Sequence, residues 1–275
     1  MTAQQHADQP PLILLTNDDG INSPGLGAAA SALDPLGEVL VVAPHEQQSG
    51  TGRSMPLASE GRIFPETIQV DGQRRQAFAV HASPAQAVQH GMIELAPRPV
   101  SLVVSGINYG ENLGTGITIS GTVGAALEGA SFGVPSLAIS LQTDPKYYLS
   151  NDGSIDFSTA AHFTRLFARI LLEVRLPSDV DVLKVDVPRD ATPHTPWRIT
   201  HLSRKPYYIP VAPTRERLES AGRMGYRLAR PSEGVEAGSD VEALHEGAIS
   251  ITPLSLDMTS HVAPDALARL LSGVA

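Results

Sequence analysis

Leu12-Ile13-Leu14-Leu15-Thr16-Asn17-Asp18-Asp19-Gly20 decides the fold. A run of apolar residues, stopped by polar residues and a glycine, predicts a short strand buried on both faces. Ser23-Pro24 then opens a helix rich in Ala and Leu that runs to Leu36, with Ser23 as N-cap and Pro24 at the first helical position. Val39-Leu40-Val41-Val42 is a second apolar run, closed by Ala43-Pro44. Two buried strands joined by a helix make a βαβ unit, which predicts an α/β protein with a parallel sheet.

The reading extends outward from there. Ile68-Gln69-Val70 and Ala77-Phe78-Ala79-Val80 flank Asp71-Gly72, a hairpin signal. A helix is predicted over 84–95, a strand over 101–104 and a glycine-rich loop over 105–120. A helix over 121–132, a strand over 136–140, a long amphipathic helix over 156–174 and a strand over 182–187 follow. Residues 1–10 are polar and expected to lack order. Residues 11–190 are read as the core. Beyond 190 the alternation loosens, with a strand at 249–252 and a terminal helix at 263–271. Residues 191–275 are therefore read as an irregular extension carrying an oligomerisation arm, not as an independent domain.

The length of 275 residues fits one large domain or two modest ones. Twenty Lys and Arg against 29 Asp and Glu give a net charge of −9, which argues against a nucleic-acid polymer or an anionic membrane as partner. The chain contains no cysteine, so disulfides, thiolate zinc sites, iron–sulfur clusters and cysteine nucleophiles are excluded. No secretory leader and no membrane-length apolar run is visible, and a cytoplasmic location is expected.

Chemistry is expected beyond the carboxyl ends of the strands, where open α/β sheets bind ligands. Asn17-Asp18-Asp19-Gly20 lies there directly after the first strand. Adjacent carboxylates repel unless a cation or donors compensate, and hard oxygen ligands suit Mg²⁺, Mn²⁺ or Ca²⁺. The same residues also serve well as turn and cap formers. Ser49-Gly50-Thr51-Gly52-Arg53-Ser54 follows the second strand and is a weaker anion-binding pattern. Ser105-Gly106-Ile107-Asn108-Tyr109-Gly110-Glu111-Asn112-Leu113-Gly114, with Ser120-Gly121-Thr122-Val123 opening a helix, is the strongest. A helix start preceded by small polar residues is a phosphate cradle. No G-x-G-x-x-G, P-loop or H-E-x-x-H pattern is present. The nine histidines are scattered, and Trp197 and Tyr207-Tyr208 could line a pocket, with packing as the default reading.

Leu14 to Ile21, Val42-Ala43-Pro44 with Gln48-Ser49-Gly50, Ser105 to Gly110 and Ser120 to Val123 together resemble the survival protein SurE family. Lys205-Pro206-Tyr207-Tyr208 and Ser250-Ile251-Thr252-Pro253-Leu254 add to the resemblance, which runs in order over about 15–255. It implies a Rossmann-like, mostly parallel sheet with helices on both faces, and a C-terminal arm exchanged in homodimers or homotetramers. It also implies a divalent-metal-dependent phosphomonoesterase acting on nucleoside 5′- and 3′-monophosphates and, as in some members, on short polyphosphate. One divalent ion per subunit, Mg²⁺ or Mn²⁺ first and Ca²⁺ as an alternative occupant, would be held by Asp18, Asp19, Ser49 and Asn108. Asp18, Asp19 and Asn108 would be the catalytic residues. Asn17, Gly50, Ser105, Gly106, Asn112, Ser120, Gly121 and Thr122 would surround the phosphate. The alternatives are a nucleotide- or phosphate-binding oligomer without turnover and a structural oligomer.

The chain departs from the family pattern at four places. Gly116 stands where an acidic residue is usual, and Ile119 where Tyr or His is usual. Ala82-Ser83-Pro84-Ala85-Gln86-Ala87 replaces Gly-Thr-Pro-Ala-Asp-Cys, and Asp186 replaces an Asn.

Overall fold

A computed structural model describes residues 9–148 and 150–273. The first apolar run forms β1 (Leu12–Thr16), buried along its whole length. Ile13 and Leu15 join the apolar cluster on one face of the sheet, and Leu14 joins that on the other. A strand with a period of two needs this split when both faces are covered. α1 (Pro24–Leu33) and α4 (Ser158–Glu173) cover the first face. α2 (Pro84–His90) and α3 (Gly121–Ser131) cover the second.

β2 (Glu38–Pro44), β3 (Ile63–Val70), β4 (Gln73–Val80), β5 (Leu102–Tyr109), β6 (Ser136–Leu141) and β7 (Val182–Val187) follow in the chain. They are succeeded by β8 (Trp197–Ile199), β9 (Tyr208–Val211), β10 (Gly225–Leu228), α5 (Asp240–His245), β11 (Ile249–Leu254) and α6 (Pro264–Ser272). The main sheet has the order β3-β4-β2-β1-β5-β6-β7-β11-β8. β4 through β7 run parallel in that order, while β3 and β11 are antiparallel to their inner neighbours. From β1 the chain moves to β2 on one side and later returns to β5 on the other. The order reverses between β1 and β5, the place in open α/β sheets where ligands bind beyond the carboxyl ends of the strands.

Several elements differ from expectation, each for a local reason. The loop expected over 105–120 is strand as far as Tyr109, followed by a 3₁₀ turn at Gly114–Ile119. Pairing with β6 slips between Ser105 and Asn108, and Gly106 adopts φ +133°. A Cβ there would meet the Ile139 carbonyl at 2.3 Å, so only glycine lets the strands approach. Sheet pairing here overrides a loop-like composition. Ser23 sits at the N-cap position, but its side chain bonds nothing; the Leu26 and Gly27 amides go to its carbonyl instead. The expected hairpin is longer, and its turn residues Asp71 and Gly72 both have positive φ, at 50° and 74°. The expected helix over 84–95 is α to His90 and then a π turn, Gly91–Leu95. β8, β9, β10 and α5 went unforeseen, because elements of three to six residues carry too few positions for a period. Beyond residue 190 the main sheet gains both β8 and β11. The expected unordered start lies outside the described residues as far as position 8. No helix among the described residues is long and apolar enough to cross a membrane.

Candidate active site

The turn after β1 presents two carboxylates to two different walls. Asn17 Nδ2 donates to the Gly20 carbonyl at 3.0 Å and closes the turn, with Gly20 at φ +93°. Asp18 Oδ1 accepts from Thr122 Oγ1 at 2.5 Å, and the amides of Gly121 and Thr122 at the start of α3 favour its charge. Asp19 Oδ2 accepts from the Tyr109 amide of β5 at 3.1 Å. Asp19 Oδ1 accepts from Gln47 Nε2 at 3.0 Å. Both aspartates are buried, at 5% and 3% exposure. Burial pushes both carboxyls above the usual range, and the charge of Asp18 pushes Asp19 further.

No Lys, Arg or His among the described residues pairs with either aspartate. A buried acidic pair without a cation is costly, and a bound divalent ion removes that cost. No group of three or more His, Asp or Glu able to hold a metal occurs among the described residues, so further ligands would have to be neutral oxygens. Such oxygens are near at hand. Asn108 Nδ2 donates to the Gly110 carbonyl at 2.7 Å, which commits its N–H₂ and leaves Oδ1 to accept. The Gln48 amide donates to the Asp18 carbonyl at 2.7 Å, which draws the exposed Ser49-Gly50 segment alongside. The residue set therefore fits a hard divalent cation.

The remaining expected residues divide into two groups. Asn17 Oδ1 and Ser105 Oγ are buried with no partner among the described residues. Gly121 lies so close to Asp18 that a Cβ would meet Asp18 Cβ at 2.7 Å. Ser120 Oγ is occupied by the Val123 amide at 3.1 Å, as an N-cap. Asn112 is turned into the fold: its Nδ2 donates to Ser140 Oγ at 2.9 Å and its amide to Asp186 Oδ1 at 2.7 Å.

Two buried networks escaped the sequence reading. Lys184 Nζ, fully buried on β7, donates to Asp186 Oδ2 at 2.5 Å, the Asn112 carbonyl at 2.8 Å and Asp240 Oδ2 at 3.2 Å. Alternation in Leu183-Lys184-Val185-Asp186 places both charges on one face of the strand, a signal that was legible. Glu111 is the centre of the second network. Its carboxylate accepts from Tyr207 Oη at 2.6 Å and Tyr148 Oη at 3.2 Å, and its carbonyl from Tyr208 Oη at 2.5 Å. Tyr148 also accepts Gln47 Nε2 on its carbonyl at 2.7 Å, so the tyrosine cluster reaches Asp19 through Gln47.

Burial pushes the Glu111 carboxyl above its usual range, against the Tyr207 and Tyr148 hydrogen bonds, and the charge of Asp186 adds to the rise. Its folded form therefore holds a proton that the unfolded chain releases, and stability falls as pH rises from the ordinary carboxylate range. A glutamine side chain in its place would accept from Tyr207 and donate to Tyr148 without a charge. Glu111→Gln is expected to melt about 3 °C higher than the parent at pH 8, for about 1 kcal/mol, with no gain at pH 4.5. Equal shifts at both pH values in a calorimetric scan would contradict this.

The sequence model described as survival protein SurE matches residues 13–208. That span takes in every residue discussed for the acidic site. The chain belongs to the survival protein SurE family. A protein of Thermococcus gammatolerans named 5′-nucleotidase SurE is 44% identical over 263 residues, covering 95% of this chain and 96% of that protein. One of Archaeoglobus fulgidus with the same name is 43% identical over 264 residues, covering 95% and 98%. Among solved structures, the SurE protein from Aquifex aeolicus superposes with a TM-score of 0.73 at 31% identity, covering 95% of this chain and all of that one. The SurE fold accounts for the Rossmann-like sheet with helices on both faces. Within this SurE chain Asp186, which replaces the usual Asn, is matched by Lys184 two residues earlier.

Proposed function

We propose that this chain is a divalent-metal-dependent phosphomonoesterase that hydrolyses nucleoside 5′- and 3′-monophosphates to nucleoside and phosphate, and short polyphosphate as well. The observation that carries the reading is the buried Asp18–Asp19 pair, which no Lys, Arg or His among the described residues neutralises, at the point where the strand order reverses. The relatives named 5′-nucleotidase support the 5′-monophosphate part of this reading. Asp18, Asp19, Ser49 and Asn108 would hold one Mg²⁺ or Mn²⁺, with Ca²⁺ as an alternative occupant. When bound, such an ion supplies Lewis acidity toward a phosphate oxygen and lowers the pKa of water.

The chain's own residues supply the rest. Thr122 and the start of α3 orient Asp18, while Gln47 and the Tyr109 amide orient Asp19. Either aspartate can take the proton of an attacking water. Asn17, Gly50, Ser105, Gly106, Ser120, Gly121 and Thr122 would line the phosphate, with Ser105 Oγ, which has no partner among the described residues, as a donor. Asn112 would act by holding its loop in place. For the C-terminal stretch we read an arm joining a homodimer or homotetramer. α6 buries none of its residues and exposes Leu267, Leu270 and Leu271.

Phosphate release from a nucleoside monophosphate panel and an aryl phosphate, with Mn²⁺, with Mg²⁺ and with chelator, tests the activity. Release only with metal is expected. A folded chain with no release under any metal would leave the binding-only alternative, to which Gly116 and Ile119 lend weight. Gly121→Ala adds a finer test. Its methyl would displace the Asp18 carboxylate, and the Mn²⁺ concentration for half-maximal release is expected to rise by about 10–100-fold. An unchanged metal requirement would separate Asp18 from metal binding.

A further inference from the structure

The hairpin β9–β10 carries aromatic residues that the proposed phosphate chemistry does not use. Its register pairs Tyr208 with Leu228 and Pro210 with Tyr226, so Tyr208 and Tyr226 share one face as diagonal neighbours. Their rings meet edge to face, with centroids 5.3 Å apart. Tyr208 is anchored, because its hydroxyl donates to the Glu111 carbonyl one residue before Asn112. Its ring also lies over the 3₁₀ turn, where a Cβ on Gly116 would meet Tyr208 Cδ2 at 3.2 Å. The glycine thus leaves room for the ring.

Tyr226 is different. It is 48% exposed, and its hydroxyl has no partner among the described residues. Ile119, 61% exposed, ends the same 3₁₀ turn, and its carbonyl accepts the Gly52 amide from the Ser49-Gly50 loop. An exposed apolar residue therefore ends the turn that leads into Ser120-Gly121-Thr122, and the ring that supports Tyr226 lies against the middle of that turn. The cluster is also tied to the acidic pair through Tyr148 and Gln47.

We propose that Tyr226, backed by Tyr208, is a platform on which the nucleobase stacks, making this face a specificity-determining part of the substrate site. The proposal rests on the nucleotidase reading above. Stacking uses the π-face that every base possesses, so the platform distinguishes nucleotides from base-less phosphates more than one base from another. No charged side chain other than Arg227 belongs to β9 or β10, and Arg227 is paired with Glu233 at 2.7 Å.

The test compares AMP with ribose 5-phosphate, which lacks the base, on the full-length parent, Tyr226→Ala and Tyr226→Phe. In Tyr226→Ala the ratio of kcat/KM for AMP over ribose 5-phosphate is expected to fall about tenfold, through KM. Tyr226→Phe should restore it, because the ring and not the hydroxyl makes the contact. Equal losses on both substrates, or a changed subunit count by light scattering with both falling together, would assign the ring to structure or assembly and overturn the proposal. Binding of adenosine against ribose, read by calorimetric titration, gives the same comparison without turnover. Adenosine binding weakened by Tyr226→Ala in a chain that releases no phosphate would overturn the nucleotidase reading and sustain the platform. Adenosine binding indifferent to Tyr226→Ala would overturn the platform alone.

Discussion

Asp19→Asn is expected to lose metal-dependent phosphate release by roughly a thousandfold while melting within a few degrees of the parent. The two effects have different causes. Activity falls because the acidic pair loses one of the two charges that would attract the cation. Stability changes little because two terms oppose each other. Removing a charge beside buried Asp18 relieves a repulsion that already pushes Asp19 upward. Against that, Asp19 accepts from Gln47 on one oxygen and from the Tyr109 amide on the other. Asparagine has only one accepting oxygen, so its N–H₂ faces a donor, at a cost of about 1–3 kcal/mol. Thermal melting with and without Mn²⁺ supplies a second readout. The parent should be stabilised by the ion and the variant should not. Turnover retained in Asp19→Asn, or an undiminished Mn²⁺ shift, would remove Asp19 from the proposed metal site.

The largest loss of stability is expected from Lys184→Met. One buried ammonium faces Asp186 and Asp240, and the groups around it join three parts of the chain. Asp240 Oδ2 also accepts the Gly114 amide at 2.9 Å, and Asp240 Oδ1 accepts that of Ser203 at 2.9 Å. Asp186 holds the Asn112 amide. Methionine fills the space but leaves two carboxylates buried without their cation. Breaking a buried pair in this way costs about 3–5 kcal/mol, or about 10 °C of melting temperature at this chain length. Lys184→Met with Asp186→Asn should recover part of the loss, because Asn still accepts the Asn112 amide and carries no charge. A Lys184→Met chain melting within about 2 °C of the parent would show that the network carries little stability.

The contrast between these sites explains what could be read in advance. The Asp18-Asp19 turn was legible because an unbroken apolar run must become a buried strand, and polar residues directly after it must lie at its carboxyl end. Asp186 stood out as a departure, and the alternation of β7 was enough to pair it with Lys184. Asp240, 56 residues beyond Lys184, gave no such sign. Glu111 was harder still. Its tyrosine partners lie 37, 96 and 97 residues further along the chain, and two of them come from a hairpin region too short to show a period. The extension of β5 through Gly106 was hidden for another reason. Glycine and asparagine there mark close approach to β6, a property of the neighbouring strand and not of the segment itself.

The sequence by itself determined the α/β class, the family and the strand ends where polar residues gather, because these depend on local hydrophobic period and on ordered motifs. Only the tertiary structure decided what each polar group faces. Asp18 meets Thr122 of α3, 104 residues away, and Asp19 meets Tyr109 of β5, 90 residues away. Which hydrogen bonds form, how far burial raises each carboxyl, and which tyrosine ring remains exposed all depend on contacts between distant segments. Such contacts are set by how the layers pack.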